Sequence, residues 1–385
     1  MPQAAAGPLA GPLSAPDELV ATLTAIFERV LARTPVGPEE DFFELGGDSI
    51  AAVTISVEIG AALGREVPVT ALFAAPSVAA FAAALSEAAP PPFSPLVPLR
   101  PGAGAALFLV HGVGGAVGEL RELASRIETA RPVVGVQARG MDGGAAPRDT
   151  VEAMALDYLE TIRTVQPAGP YFLGGYSFGG LVAYEMARRL AEAGERVAFL
   201  LLIDSMIDGD TLSLAIRLRF LLRRARLHGG ELRTIAWARL PGFLAARLRG
   251  LAGEFRRRRR RGGYLRNLGR APAGVPDPVR RVRDACRIAG ARYRPRRYPG
   301  TLTLIVAKDR QDTANYPDIV WKRLARAVEV RAVRADHWSL VKADVAPLAA
   351  HISMALARAE SGPEQPGPRQ PVDILYKAAK SQFGE

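Results

Sequence analysis

Apolar residues along this chain follow two kinds of pattern, and the change from one to the other divides it. In "APDELVATLTAIFERVLART" Val20, Leu23, Ile26, Phe27, Val30 and Leu31 recur three and four residues apart. That spacing predicts a helix with one buried face, and Asp17 is placed to cap it. "SIAAVTISVEIGAALG" and "SVAAFAAALSEAA" predict further helices on either side of "REVPVTALFAAP". Beyond residue 105 short apolar runs take over: "ALFLV", "YFL", "VAFLLLI", "TLTLIVA" and "AVEVRAV" read as strands. Between the two regimes lies "EAAPPPFSPLVPLRPG", residues 87–102, whose prolines predict a stiff, extended connector.

With 385 residues the chain exceeds one average domain, so a unit of about 250 to 290 residues plus a smaller helical one is the expectation. The hydrophobic share of 49% is enough for a sizeable core. Cys286 is the only cysteine, which excludes an internal disulfide framework and a multi-cysteine metal site and suits a reducing compartment. The N-terminus lacks a basic region ahead of an apolar core, and no uninterrupted apolar run approaches the length of a membrane span. A cytoplasmic, soluble protein without a bound metal is expected.

The stretch "YFLGGYSFGGLVAYEMARRL", residues 171–190, crowds glycines around Ser177 between a strand and a helix. A sharp strand-to-helix turn forces strained backbone angles and close backbone approach, so Gly175 and Gly179 flank it. Such an elbow exposes the Ser177 hydroxyl and aims the helix N-terminus at an oxyanion on the attacked carbonyl. A serine there needs a base. Among four histidines, His337 in "VRADHWSLV" follows a late strand and completes the order serine, acid, histidine. His228 lies in an arginine-rich stretch and His351 on a terminal helix, where solvated or packed roles are expected. His111 opens "HGVGG", a glycine-rich loop of the type that donates a second oxyanion N–H, here from Val113 beside that of Phe178. A loop-shaping role is expected for His111 itself. Two strands end in an aspartate, Asp204 and Asp309, and spacing does not choose between them.

In the helical unit the informative stretch is "DFFELGGDSI", residues 41–50. Asp48 or Ser49 can cap the following helix while Phe42 and Phe43 anchor the loop, leaving Ser49 at a helix N-terminus that favours a phosphodiester. The stretch resembles the attachment motif of acyl and peptidyl carrier proteins, and the resemblance covers residues 16–88. It implies an all-α four-helix bundle with 4′-phosphopantetheine on Ser49, installed by a phosphopantetheinyl transferase. From about residue 105 to 357, "FLVHGVGG", "GGYSFGG", "LLLIDS" and "DHWSL" resemble the thioesterase domains that end nonribosomal peptide and polyketide synthetases. That likeness implies an α/β-hydrolase with a mostly parallel sheet and a helical lid insertion, about residues 206–298. By it Ser177 is the nucleophile, His337 the base, Asp204 rather than Asp309 the acid, and Val113 and Phe178 the oxyanion donors.

The expected organisation is a disordered N-terminus (1–15), carrier (16–88), proline-rich linker (89–104), hydrolase (105–357) and flexible tail (358–385). The resemblance implies release of an acyl or peptidyl thioester, by hydrolysis or cyclisation, in partnership with upstream synthetase modules. Two other readings remain: an acyltransferase serving a separate amine or alcohol, and a basic protein that binds nucleic acid or an anionic membrane. The second comes from a net charge of +11 and a pI near 10.2, but the arginines lack interleaved aromatics or a nucleic-acid motif. Charge is instead concentrated. Residues 211–300 hold 25 arginines, no lysine and four acids, a net of +21, whereas residues 1–88 hold 3 basic and 11 acidic residues, a net of −8.

Overall fold

Strands in which every side chain is apolar must be covered on both faces, and the chain meets that demand with helices on either side of one sheet. The computed structural model describes residues 16–42, 45–47, 49–65, 67, 71–72, 75–86, 93–207, 277–309, 317–342 and 345–360. The expected N-terminal segment 1–15, the tail from residue 361 and most of the lid, residues 208–276, lie outside the described residues. Among the described residues no helix is long and apolar enough to cross a membrane.

The helical unit contains α1 (Pro16–Leu31), α2 (Ser49–Leu63) and α3 (Val78–Ser86), with Ala71 and Leu72 in a further helical turn. In α1, Leu19, Leu23, Ile26 and Phe27 are buried on one face. Asp17 and Glu18 lie in the first turn and Arg29 in the last, complementing the helix dipole. Because the helix already includes Pro16, Asp17 is a first-turn residue and not the cap expected from sequence. Phe27 packs edge-on against Phe42, ring centroids 5.7 Å apart, and against Phe81 at 6.2 Å. Phe42 is fully buried and its N–H donates to the Pro76 carbonyl at 2.8 Å, so the loop before α2 is nailed down by one aromatic ring. The paired glycines of that loop answer two separate needs. Gly46 has φ +95°, and a Cβ on Gly47 would lie 2.4 Å from the Phe42 ring. Gly47→Ala is therefore expected to cost the helical unit about 1–3 kcal/mol, as overpacking does. Thermal unfolding of the full chain followed by circular dichroism checks this; an unshifted first transition would contradict it.

Among the described residues the sheet has seven strands: β1 (Leu96–Arg100), β2 (Leu107–Val110), β3 (Val133–Val136), β4 (Tyr171–Tyr176), β5 (Val197–Ile203), β6 (Tyr298–Ala307) and β7 (Ala325–Val333). Their spatial order is β1-β3-β2-β4-β5-β6-β7, with only β1 antiparallel. Residues 96–100 of the expected linker are thus β1, an edge strand. Proline is tolerated there, and the register shifts between Pro98 and Arg100.

Alternation sorts the strand side chains onto two cores. Phe108, Val110, Leu200 and Leu202 face α5 (Val151–Arg163) and α6 (Phe178–Glu192). Leu107, Leu109, Phe199, Leu201 and Ile203 face α4 (Arg121–Arg126) and α9 (Ala346–Glu360). The helices α7 (Asp277–Arg292) and α8 (Pro317–Leu324) complete the described α-helices. The chain runs from β2 outward to β3 and then returns to place β4 on β2's other side. The carboxyl ends of β2 and β4 are therefore the switch point where open α/β sheets form their crevice.

Candidate active site

Sheet register brings the sequence-predicted residues to one level. Tyr176 pairs with Ile203, so Ser177 and Asp204 are the first residues past the ends of two adjacent strands. The Ser177 N–H donates to the Ile203 carbonyl at 2.8 Å, and the Asp204 N–H donates to that of Ile305 at 2.7 Å. Both residues have positive φ, 55° for Ser177 and 46° for Asp204. Side chains other than glycine adopt such angles at a cost, and they do so where the surrounding structure holds them.

The turn at Ser177 is possible only because its neighbours lack side chains. A Cβ on Gly175 would lie 2.2 Å from the Gly179 carbonyl oxygen, and one on Gly179 would lie 2.2 Å from that of His111. The elbow thus presses against the end of β2 as well as turning on itself. Helix α6 starts at Phe178, and among the described residues no hydrogen bond occupies the Phe178 or Val113 N–H. Val113 is half-buried in the loop after β2.

Ser177 Oγ lies 2.9 Å from His337 Nε2, and His337 Nδ1 lies 2.6 Å from Asp204 Oδ2. The Asp204 side chain is fully buried, and its Oδ1 accepts the Ala307 N–H at 3.1 Å, so one oxygen is fixed by β6 while the other faces the imidazole. Asp309 sits exposed two residues past β6, its N–H donating to the Ala335 carbonyl, and it is not the carboxylate that meets His337. Ser49 opens α2, the backbone position expected for it.

Several partners of this site carry no motif of their own. Tyr176 stacks on His337, centroids 5.2 Å apart, and its hydroxyl donates to the His337 carbonyl at 2.6 Å. One residue next to Ser177 therefore holds the loop that brings the histidine. Asp336 braces the same loop: Oδ1 accepts the N–H groups of Trp338 at 2.8 Å and Ser339 at 2.9 Å, which hold its carboxyl below the ordinary range. On α6, the buried Glu185 accepts two bonds from Arg188, one from Arg189 and one from the Tyr293 hydroxyl just past α7. Burial pushes that carboxyl up, but the hydrogen bonds from Arg188 and Tyr293 outweigh it and hold the group below its ordinary range. This cluster ties the helix after Ser177 to the residue that follows α7. His111 is fully buried and bonds Tyr158 of α5. His228 lies outside the described residues.

A hydroxyl, an imidazole and a buried carboxylate in series can remove a proton from the serine and stabilise the imidazolium that results. Backbone N–H groups at a helix N-terminus can bind the oxyanion that forms.

The family described as "Thioesterase domain" matches residues 105–209, and the one described as "Phosphopantetheine attachment site" matches residues 21–85. The chain is 42% identical over 180 residues to indigoidine synthase of Dickeya dadantii (strain 3937), a match covering 46% of this chain and 12% of that protein. It is 40% identical over 190 residues to malpibaldin synthetase of Mortierella alpina, covering 48% of this chain and 3% of the synthetase. Its fold is similar to a four-domain nonribosomal peptide synthetase solved with AMP and glycine: TM-score 0.52 at 24% identity, covering 94% of this chain and 27% of that one. The chain thus spans a small fraction of the length of these relatives.

Proposed function

We propose that this chain, which joins a phosphopantetheine attachment domain to a thioesterase domain, holds an acyl or peptidyl chain as a thioester and releases it at Ser177 during nonribosomal peptide or polyketide assembly. The observation that carries the reading is the Ser177–His337–Asp204 series of hydrogen bonds in the same chain as a carrier motif.

The carrier region suits its prosthetic group. Ser49 is the first residue of α2, whose first turn holds no acidic residue, so the helix end favours the phosphodiester. When attached, 4′-phosphopantetheine supplies a terminal thiol that carries the acyl chain as a thioester. The remaining chemistry belongs to side chains and backbone of the hydrolase. His337 takes the Ser177 proton as Oγ attacks the thioester carbonyl, Asp204 stabilises the imidazolium, and the N–H groups of Phe178 and Val113 hold the oxyanion. His337 then gives its proton to the departing thiolate, leaving the acyl group on Ser177. Water activated by His337 yields a free acid; an amine or hydroxyl of the chain itself yields a ring. A phosphopantetheinyl transferase and upstream synthetase modules are the partners this chemistry requires, in the cytoplasm.

Tethering both domains in one chain raises the local concentration of the thioester to the order of millimolar, so weak docking suffices. Opposite charge assists it. The acidic carrier region and the arginine-rich segment 211–300 differ in sign, although most of that segment lies outside the described residues. Such steering is screened beyond about 8 Å at physiological salt. Release of a carrier-borne thioester should therefore slow as salt rises from about 50 to 500 mM, while cleavage of a small neutral thioester should not. Equal salt sensitivity for both substrates would leave the arginines without this role.

Incubating the full chain with a phosphopantetheinyl transferase and acyl-coenzyme A donors, then weighing it, tests the whole reading. A gain of the acyl-phosphopantetheine mass followed by its time-dependent loss to the phosphopantetheine form is expected; a chain that never gains the arm would overturn it.

A further inference from the structure

A buried polar chain runs from helix α5 to the loop after β2, and its last member shares a peptide plane with Val113. The Tyr158 hydroxyl lies 2.6 Å from His111 Nε2, and His111 Nδ1 lies 2.5 Å from the Gly112 carbonyl oxygen. A carbonyl only accepts, so Nδ1 carries the hydrogen. Burial pushes the imidazole down to about 4, so the ring is neutral at physiological pH, and Nε2 accepts from the Tyr158 hydroxyl. His111 and Tyr158 are both buried, with rings edge-on at 5.7 Å, and the His111 ring also packs near Phe178, centroids 6.2 Å apart.

The Gly112–Val113 peptide bond is trans. In a trans peptide the carbonyl and the following N–H point in opposite directions. Whatever fixes the Gly112 carbonyl towards the buried imidazole therefore fixes the Val113 N–H away from it. We propose that Tyr158 is a positioning residue for the oxyanion site: it holds His111 with Nδ1–H on the Gly112 carbonyl, and this sets the direction of the Val113 N–H. The inference rests on the proposed acyl transfer at Ser177. Removing the Tyr158 hydroxyl leaves Nε2 buried and unpaired, a penalty the ring relieves by turning, which frees the carbonyl and with it the Val113 N–H.

Three measurements on the full chain, with a small soluble acyl thioester and Ser177→Ala as the blank, test this. In protein carrying ¹⁵N-labelled histidine, His111 should show the Nδ1–H tautomer; an Nε2–H ring in the wild type overturns the proposal whatever the variants do. Tyr158→Phe should lower kcat by about tenfold or more while KM stays within about twofold, short of the hundredfold or greater loss from deleting an oxyanion donor. His111→Asn places an amide nitrogen near the Nδ1 position and can donate to the Gly112 carbonyl without help. In that background Tyr158→Phe should change kcat by less than about twofold, a coupling that general destabilisation would not produce. An unchanged kcat in Tyr158→Phe, or equal losses in both backgrounds, overturns the positioning role. Wild-type protein without Ser177-dependent release would instead count against the proposed function.

Discussion

Ser177→Ala should take up the phosphopantetheine arm, accept an acyl group and then keep it. In the proposed function the arm is attached through Ser49 at the start of α2, a step that uses no residue of the hydrolase. Release does. Ser177 Oγ is the atom 2.9 Å from the His337 imidazole, on a residue with φ 55°. In the proposed mechanism its deletion removes the nucleophile while leaving the oxyanion donors, so residual turnover would come only from positioning and those donors. For comparable catalytic serines the loss in kcat is on the order of a millionfold. Ser49→Ala should fail in the opposite manner, with no mass gain from the transferase but unimpaired cleavage of a soluble thioester. Parallel intact-mass and thiol-release assays separate the two failures, and release from Ser177→Ala at the wild-type rate would remove the serine from the mechanism.

Asp204→Asn should lower turnover by about ten-thousandfold, the scale known for this replacement in other serine hydrolases. Asp204 is buried, its Oδ1 is held by the Ala307 N–H, and its Oδ2 is 2.6 Å from His337 Nδ1. An amide in its place presents either a donor to a nitrogen that must itself donate or a weaker neutral acceptor, so the imidazole is misoriented and its charged form unsupported. Asp309→Asn should cost little, because Asp309 is exposed and away from the imidazole. Steady-state kinetics on a small thioester checks both, and the reverse ranking would move the acid to the end of β6.

Strands β2, β4, β5, β6 and β7 were legible because each contains a short apolar run, whereas β3 was not read, and the elbow was legible because glycines crowd one serine. The choice between Asp204 and Asp309 was not, since both follow strands; it depends on β5 lying between β4 and β6, which no local pattern encodes. Strand β1 was hidden by Pro98 and its proline-rich surroundings, where pairing with β3 overrides a sequence that reads as connector. Tyr176 and Tyr158 look like ordinary core aromatics, and only the fold shows what their hydroxyls bond. Asp336 was the most readable of the missed residues: an aspartate three positions before a serine in a short loop signals a side chain bonding nearby N–H groups.

The central claim is that the acyl chain passes through Ser177 on its way from the carrier, and the most direct measurement is to locate it in time. The holo chain is loaded with an acyl group, quenched in acid at intervals, digested and weighed peptide by peptide. The acyl mass is predicted to leave the peptide containing Ser49 and to reside on the peptide containing Ser177 before product appears. Product formed while the Ser177 peptide never carries the acyl mass, at an undiminished rate in Ser177→Ala, would contradict it.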